Sequence, residues 1–196
     1  VMKSGFRGIF LIATNPVDVM TYLTWKYAKL PTNQVLGTGT ILDTARLRYL
    51  IGDRLNVNSK NVHAYVMGEH GDSEFVPWSI ARIGLEEIDK YLTKEEQDAL
   101  HIQVRDAAYE IIQRKGNTSY GIGMSMVRIT NAILNDENTI LAVSSYDKEN
   151  DVFVGGPTIL NQNGVEKRIY IDLTPEEETK LKYSIQIIKD AIDKVA

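Results

Sequence analysis

The stretch GIFLIATNPVD, residues 8–18, determines the class of fold. Its apolar run over residues 8–13 is short and lies between a glycine and an Asn-Pro pair, which is typical of a strand in the buried centre of a parallel sheet. A helix is expected to follow, because Asn15 can cap it, Pro16 suits its first position and Asp18 favours its positive end. The stretch therefore predicts an α/β fold.

The order of strand then helix repeats once, after which the chain changes character. The first helix is predicted over residues 16–29, a short strand over 34–37 and a second helix over 41–55, which together form the end of a parallel sheet. Beyond them, the alternation over 62–67 and the run over 75–83 predict a pair of strands.

The second half is predicted to combine long helices with an antiparallel meander. Thr93 begins a capping-box motif and Thr174 precedes Pro175, so each marks the start of a helix. The predicted helices are 93–115, 120–134 and 176–195, and the predicted strands are 139–146, 152–160 and 165–171. We therefore expect the end of a parallel sheet followed by an α+β region with antiparallel strands and long helices.

Composition excludes several classes of function. The 196 residues carry 22 Lys and Arg against 26 Asp and Glu, a net charge of -4 without a basic run, so nucleic acid is not an expected partner. No stretch approaches the roughly 20 apolar residues of a membrane span, so no membrane partner is expected. The absence of cysteine excludes a thiolate nucleophile and any Cys-ligated metal, and it agrees with a cytoplasmic location.

One of the three histidines stands in an unusual setting, because His70 lies between two glycines in the sequence GEHGD, residues 68–72. Glycines there free the backbone to present the imidazole in a cleft, where a group that titrates near neutral pH suits general acid and base catalysis. The alternative is a histidine in a tight turn.

The second predicted helix carries an acid and two arginines. Asp43 and Arg46 are three residues apart and share one helical face. The alternative is an ordinary surface ion pair worth less than about 1 kcal/mol. Arg48 lies about 200° further round the helix from Arg46, so the two guanidinium groups cannot serve one site.

Two further polar residues lie where a ligand would be expected. Asn15 follows a strand, and ligands of open α/β sheets collect at the carboxyl ends of strands, although helix capping explains it equally well. Thr118 lies between two predicted helices and offers either a hydroxyl group to a ligand or a cap. The chain has no complete GxGxxG turn, because Leu42 and Met126 occupy the third glycine positions.

Four motifs taken in order are more specific than any one alone. The sequence ATNPVD (13–18), LDTAR (42–46), GEHGD (68–72) and KGNTS (115–119) resembles the bacterial L-lactate dehydrogenases of the lactate/malate dehydrogenase family. Malate dehydrogenases share the first three motifs but usually carry glycine where this chain has Glu69, so the resemblance favours lactate.

The resemblance implies a division of the chain and a set of roles. Residues 1–38 would be the remnant of a dinucleotide-binding domain with a Rossmann-type sheet, and 39–196 the substrate-binding catalytic domain. NAD would be the cofactor, pyruvate and lactate the substrates, and no metal would be bound. His70 would exchange the proton of the substrate hydroxyl, Asp43 would orient and charge the imidazole, and Arg46 would hold the carboxylate. Asn15 and Thr118 would also contact the substrate. The cofactor would be contacted by Thr14, Asn15 and Thr38.

The resemblance also implies an effector site and an assembly. Arg48 follows Arg46 by two residues and His63 precedes His70 by seven, and these spacings match residues that bind fructose 1,6-bisphosphate in bacterial lactate dehydrogenases. The alternative is a solvated arginine and a surface histidine. A homotetramer with a glycolytic or fermentative role would follow from the same resemblance.

Two other functions remain open from the sequence. A malate dehydrogenase is the alternative within the family. Because the chain opens at Val1 and shows no glycine-rich phosphate turn, we expect a fragment, and the alternative outside the enzyme class is a non-catalytic assembly module.

Overall fold

The computed structural model describes residues 1–195 and has an α/β architecture. Ala196, the last residue of the predicted second domain, lies outside the described residues. The helices are α1 (Val17–Ala28), α2 (Ile41–Leu55), α3 (Lys94–Lys115), α4 (Tyr120–Leu134) and α5 (Pro175–Asp193). The strands are β1 (Phe10–Ile12), β2 (Val35–Gly37), β3 (Val62–His63), β4 (Arg82–Ile83), β5 (Glu86–Glu87), β6 (Thr139–Asp147), β7 (Val152–Asn161) and β8 (Gly164–Arg168).

One mixed sheet joins the two halves of the chain. Its strand order is β1-β2-β6-β7-β8, with β1 parallel to β2 and the later strands antiparallel to their neighbours. Gly37 of β2 pairs with Ser144 of β6, which connects the parallel pair to the meander. The predicted fold class is confirmed. The buried setting predicted for the first strand is wrong, because β1 lies at the edge of the described sheet and is only half-buried.

The long strand pair predicted over 62–67 and 75–83 is also wrong. β3 and β4 pair over two residues each, and the only further β-bridge between these segments within residues 1–195 joins Met67 and Phe75. Pro77 interrupts the second segment and precedes a 3-10 turn, because proline has no N–H to continue a ladder.

Helix α2 replaces the missing strand partner. The carbonyl group of Val66 accepts a hydrogen bond from the Thr40 hydroxyl at 2.7 Å, and its N–H donates to the Thr44 hydroxyl at 3.0 Å. Leu47 and Ile51 of α2 pack into the same core as Val66. These contacts fix the start of α2 against the segment that leads to His70.

Helix starts follow the predicted caps in two of three cases. Thr93 and Thr174 each form a capping box, and Pro175 is the first residue of α5. The capping role considered for Asn15 is wrong, because Pro16 occupies the cap position of α1 without a side-chain cap bond. In residues 1–195 no helix combines the length and the apolar character needed to span a membrane.

Candidate active site

The loop that carries His70 is anchored to three separate elements. It follows directly on the bridge at Met67, and each of its first three residues makes a backbone hydrogen bond to a different part of the fold. The bonds are Gly68 N–H to the Gly155 carbonyl group at 3.1 Å, Glu69 N–H to the Ser184 hydroxyl at 2.6 Å, and His70 N–H to the Asp18 carboxylate at 2.8 Å. Strand β7 and helices α5 and α1 therefore fix the position of the imidazole.

His70 contacts a buried carboxylate. Its Nδ1 atom lies 2.7 Å from Oδ2 of Asp43, in the first turn of α2, and Asp43 is 3% exposed. Burial by itself lowers the pKa of His70, but the hydrogen bond to Asp43 and the negative charges of Asp43, Glu74 and Asp18 outweigh it and raise the pKa to about 9. The imidazole is therefore protonated at neutral pH.

Arg46 lies beside Asp43 on the same face of helix α2. One guanidinium nitrogen is 3.4 Å from Oδ1 of Asp43, and this is its only ion pair within residues 1–195. The pair is not an ordinary surface ion pair, since the Asp43 side chain is 4% exposed and that of Arg46 is 18% exposed. A guanidinium group with one long contact keeps donors for a second carboxylate.

Asp18 has a larger role than the sequence predicts. It is 2% exposed, and besides the bond from His70 it accepts one from the Ser144 hydroxyl at 2.5 Å. Burial raises the pKa of Asp18 to about 6, and these hydrogen bonds oppose the rise. The sequence signal was weak, since Asp18 is a single acid between Val17 and Val19 at the expected start of a helix.

Glu74 carries no sequence signal of function and is nevertheless part of this cluster. It is 5% exposed, and one oxygen of its carboxyl group, one oxygen of Asp43 and one ring nitrogen of His70 lie within 4.8 Å of one another. Three acids, Asp18, Asp43 and Glu74, thus surround one histidine.

The other expected site residues lie at the carboxyl ends of β1 and β2 or in a loop. Thr14 and Asn15 are exposed after β1, and Thr38 is buried after β2, where its N–H donates to the Ile12 carbonyl group at 2.8 Å. Thr118 is exposed between α3 and α4, and the structure gives it no hydrogen bond to the His70 cluster.

The start of α4 packs on the residue that precedes Asp43. A Cβ atom added at Gly121 would lie 3.2 Å from the side chain of Leu42. The loop that ends at α4, including Thr118, is thereby kept on the side of α2 where its first turn lies.

Comparison with protein families identifies the chain. Residues 40–196 match the model of the lactate/malate dehydrogenase alpha/beta C-terminal domain. The chain belongs to the lactate/malate dehydrogenase family. Residues 1–37 match the model of the NAD binding domain of the same family. The resemblance seen in the four motifs is therefore confirmed.

Several lactate dehydrogenases are similar to this family member over nearly its whole length. L-lactate dehydrogenase 1 of Bacillus cereus is 48% identical, and L-lactate dehydrogenase 2 of Bacillus anthracis is 50% identical, each over 98% of the chain. The chain spans 64% of the length of these relatives.

Two solved structures share the fold. A lactate dehydrogenase from a Medee basin deep-sea metagenome library has a TM-score of 0.95 and 47% identity over 98% of this chain and 65% of its own. The minor L-lactate dehydrogenase from Enterococcus mundtii, with ligands bound, has a TM-score of 0.97 and 45% identity over 100% of this chain and 66% of its own.

In this lactate/malate dehydrogenase family member, Arg48 contacts the chain segment that follows His63. The Nε atom of Arg48 donates to the Ala64 carbonyl group at 2.8 Å, and its guanidinium group stacks 4.7 Å from the centre of the Tyr65 ring. His63 is exposed on β3, next to Ala64 in the chain. Arg48 thus binds the segment beside His63 instead of projecting freely into solvent.

Gly68 is the loop position at which we expect a side chain to be most damaging. Its φ is +97°, and an added Cβ atom would lie 2.6 Å from the Ser184 hydroxyl that holds Glu69. Replacing Gly68 by Ala is expected to lower the free energy of unfolding in urea by about 2–4 kcal/mol, because backbone strain adds to a steric clash.

The matched control is Gly84→Ala. Gly84 also has a positive φ, +58°, but an added Cβ atom would meet nothing within 4 Å. It should cost only the backbone strain, about 1 kcal/mol. Equal losses in the two variants would show that the Ser184 contact does not constrain the loop.

Proposed function

We propose that the protein that carries this chain is an NAD-dependent L-lactate dehydrogenase, which transfers hydride reversibly between NADH and pyruvate. The observation that carries the proposal is the 2.7 Å contact between His70 and the buried Asp43, with Arg46 beside it. The similarity to proteins named L-lactate dehydrogenase supports the choice of substrate. We also propose the division into a nucleotide-binding part, 1–38, and a substrate-binding part, 39–196.

The residues at the ends of the parallel strands suit the nicotinamide end of the cofactor. Thr14 and Asn15 offer exposed hydroxyl and amide groups there, and Thr38 follows the neighbouring strand. The cofactor supplies the hydride. At the carboxyl ends of these strands, the chain positions the substrate carbonyl group between these residues and His70.

His70 supplies the proton. When the carbonyl carbon is reduced, negative charge develops on its oxygen, and a protonated imidazole beside that oxygen stabilises it and then transfers its proton. Asp43 holds Nδ1, so Nε2 is the nitrogen that faces the substrate oxygen. Reduction uses the protonated form of His70 and oxidation the neutral form.

Arg46 binds the substrate carboxylate. A guanidinium group offers two parallel N–H donors to a carboxylate, which fixes the orientation of a small 2-oxo acid as well as its affinity. Asn15 and Thr118 complete the proposed substrate contacts, to the reacting oxygen and to the body of the substrate respectively.

Steady-state NADH oxidation by the protein that carries this chain tests the proposal. We expect a kcat/KM for pyruvate at least tenfold above that for oxaloacetate. The reverse preference would assign a malate dehydrogenase, and no activity with either substrate would favour the non-catalytic assembly module.

We propose that Arg48 and His63 form an effector site for fructose 1,6-bisphosphate in a homotetramer. Arg48 is held against the chain segment that follows His63, which places the two residues on neighbouring parts of the fold. A bisphosphate that bridges subunits stabilises the assembled form by mass action. A cytoplasmic location and a glycolytic or fermentative role belong to the same proposal.

The effector prediction is an increase in activity when fructose 1,6-bisphosphate is titrated at subsaturating pyruvate. The response should be lost in the double variant Arg48→Gln with His63→Ala. Arg54→Gln, an exposed arginine on the same helix, is the matched control and should respond normally. Equal responses from the parent and the double variant would refute the site.

A further inference from the structure

Glu74 lies against the His70 and Asp43 pair although the proposed chemistry does not require it. It stands four residues after His70, and its N–H donates to the Gly71 carbonyl group at 3.1 Å. This tight turn brings its carboxyl group back to within 4.8 Å of the facing atoms of Asp43 and His70. The Glu74 side chain is 5% exposed at this place.

One oxygen of this carboxyl group lacks, in the described part of the chain, the hydrogen bond that usually accompanies burial. Oε1 of Glu74 makes no hydrogen bond within residues 1–195. An unpartnered buried polar atom costs about 1–3 kcal/mol, so its presence calls for a function.

The charges that face Glu74 come from three elements. Asp43 and Arg46 face it from α2, His70 from the loop, and Arg105 from α3. From α3 the His101 ring also faces the backbone of Glu74. From α1, Asp18 faces His70 as a third carboxylate besides Asp43 and Glu74.

We propose that Glu74 is a positioning residue for the reaction: a second carboxyl group that, together with Asp43, sets the proton affinity of His70. The proposal deepens the proposed function and rests on it for its consequence in catalysis. Glu74 acts through the imidazole and does not touch the substrate.

The charge of Glu74 changes close to the pH range in which His70 loses its proton. Burial and the neighbouring charge of Asp43 raise the pKa of Glu74 to about 8, so the group is mostly uncharged at neutral pH. As the pH rises through 8, its negative charge appears and favours the protonated imidazole. The pH at which His70 loses its proton is thereby moved upward, and pyruvate reduction is maintained further into the alkaline range.

The variant Glu74→Gln tests this, because glutamine keeps the shape of the side chain and never ionises. We expect the pH at which pyruvate reduction falls to half to decrease by about one unit, a tenfold change in proton affinity. The difference in kcat between the variant and the parent should be smallest at pH 6.5, because the raised pKa of Glu74 reduces its negative charge there. Glu74→Asp, which retains an ionisable group, should recover at least half of the shift.

Glu177→Gln is the matched control. Glu177 is also buried, 6% exposed, but its carboxylate binds Ser79 and the start of α5 instead of facing His70. It should lower the melting temperature without moving the pH profile. A pH profile of Glu74→Gln that coincides with the parent would overturn the proposal and leave Glu74 a purely structural residue.

NMR titration of the imidazole groups separates this proposal from the proposed function. The chain has three histidines, so their signals can be assigned by replacing His63 and His101. The His70 signal should titrate about one unit lower in Glu74→Gln than in the parent, whether or not the protein reduces pyruvate. An unchanged titration overturns the role of Glu74. A shifted titration in a protein without activity supports that role and overturns the dehydrogenase. If Glu74→Gln does not fold, the same titration with Glu74→Ala decides, because this variant also removes the ionisable group and should lower the proton affinity of His70.

Discussion

Replacing His70 by Asn is expected to lower the rate of pyruvate reduction by about 10²–10⁴-fold, which corresponds to roughly 3–5 kcal/mol of transition-state stabilisation. An asparagine amide keeps a hydrogen bond to Asp43, so the loop should stay in place. It cannot transfer a proton to the developing alkoxide, and this accounts for the whole loss.

The measurement is kcat for NADH oxidation with saturating pyruvate, together with the dissociation constant of NADH from its fluorescence. The NADH constant should barely change, because His70 lies in the anchored loop and not at the carboxyl ends of β1 and β2. A variant with a parent-like melting temperature and a rate within a few-fold of the parent would remove His70 from the mechanism.

The second large effect is expected for Arg46→Lys. Lysine keeps the positive charge but cannot form two parallel bonds to a carboxylate, so the loss should be about 1.5–3 kcal/mol, or roughly 10–150-fold, and should appear mainly in the KM for pyruvate.

Arg54→Lys is the matched control for this change. Arg54 lies on the same helix and forms an exposed ion pair with Glu96, and exposed pairs contribute little. Its KM should match the parent. If Arg46→Lys and Arg54→Lys behave alike, Arg46 serves only its contact with Asp43.

Local signals in the sequence predict the elements that carry the site. The helix caps at Thr93 and Thr174 and the bounds of α2 and α4 agree with prediction, because caps and helical periodicity depend on residues within one or two turns. The strands over 62–67 and 75–83 fail for the opposite reason. Alternation predicts a strand but does not name its partner, and here the partner of Val66 is helix α2.

The sequence by itself determined the family, through four short motifs whose order and spacing are visible without any structure. It also singled out His70, Asp43 and Arg46. The tertiary structure alone decided what surrounds them. Asp18 is 52 residues before His70 and Ser184 is 115 after Glu69, so no local pattern links them. The burial of Glu74 and its effect on His70 cannot be predicted from local sequence either. The proton affinity of His70 depends on desolvation and on charges that only folding brings within a few ångströms.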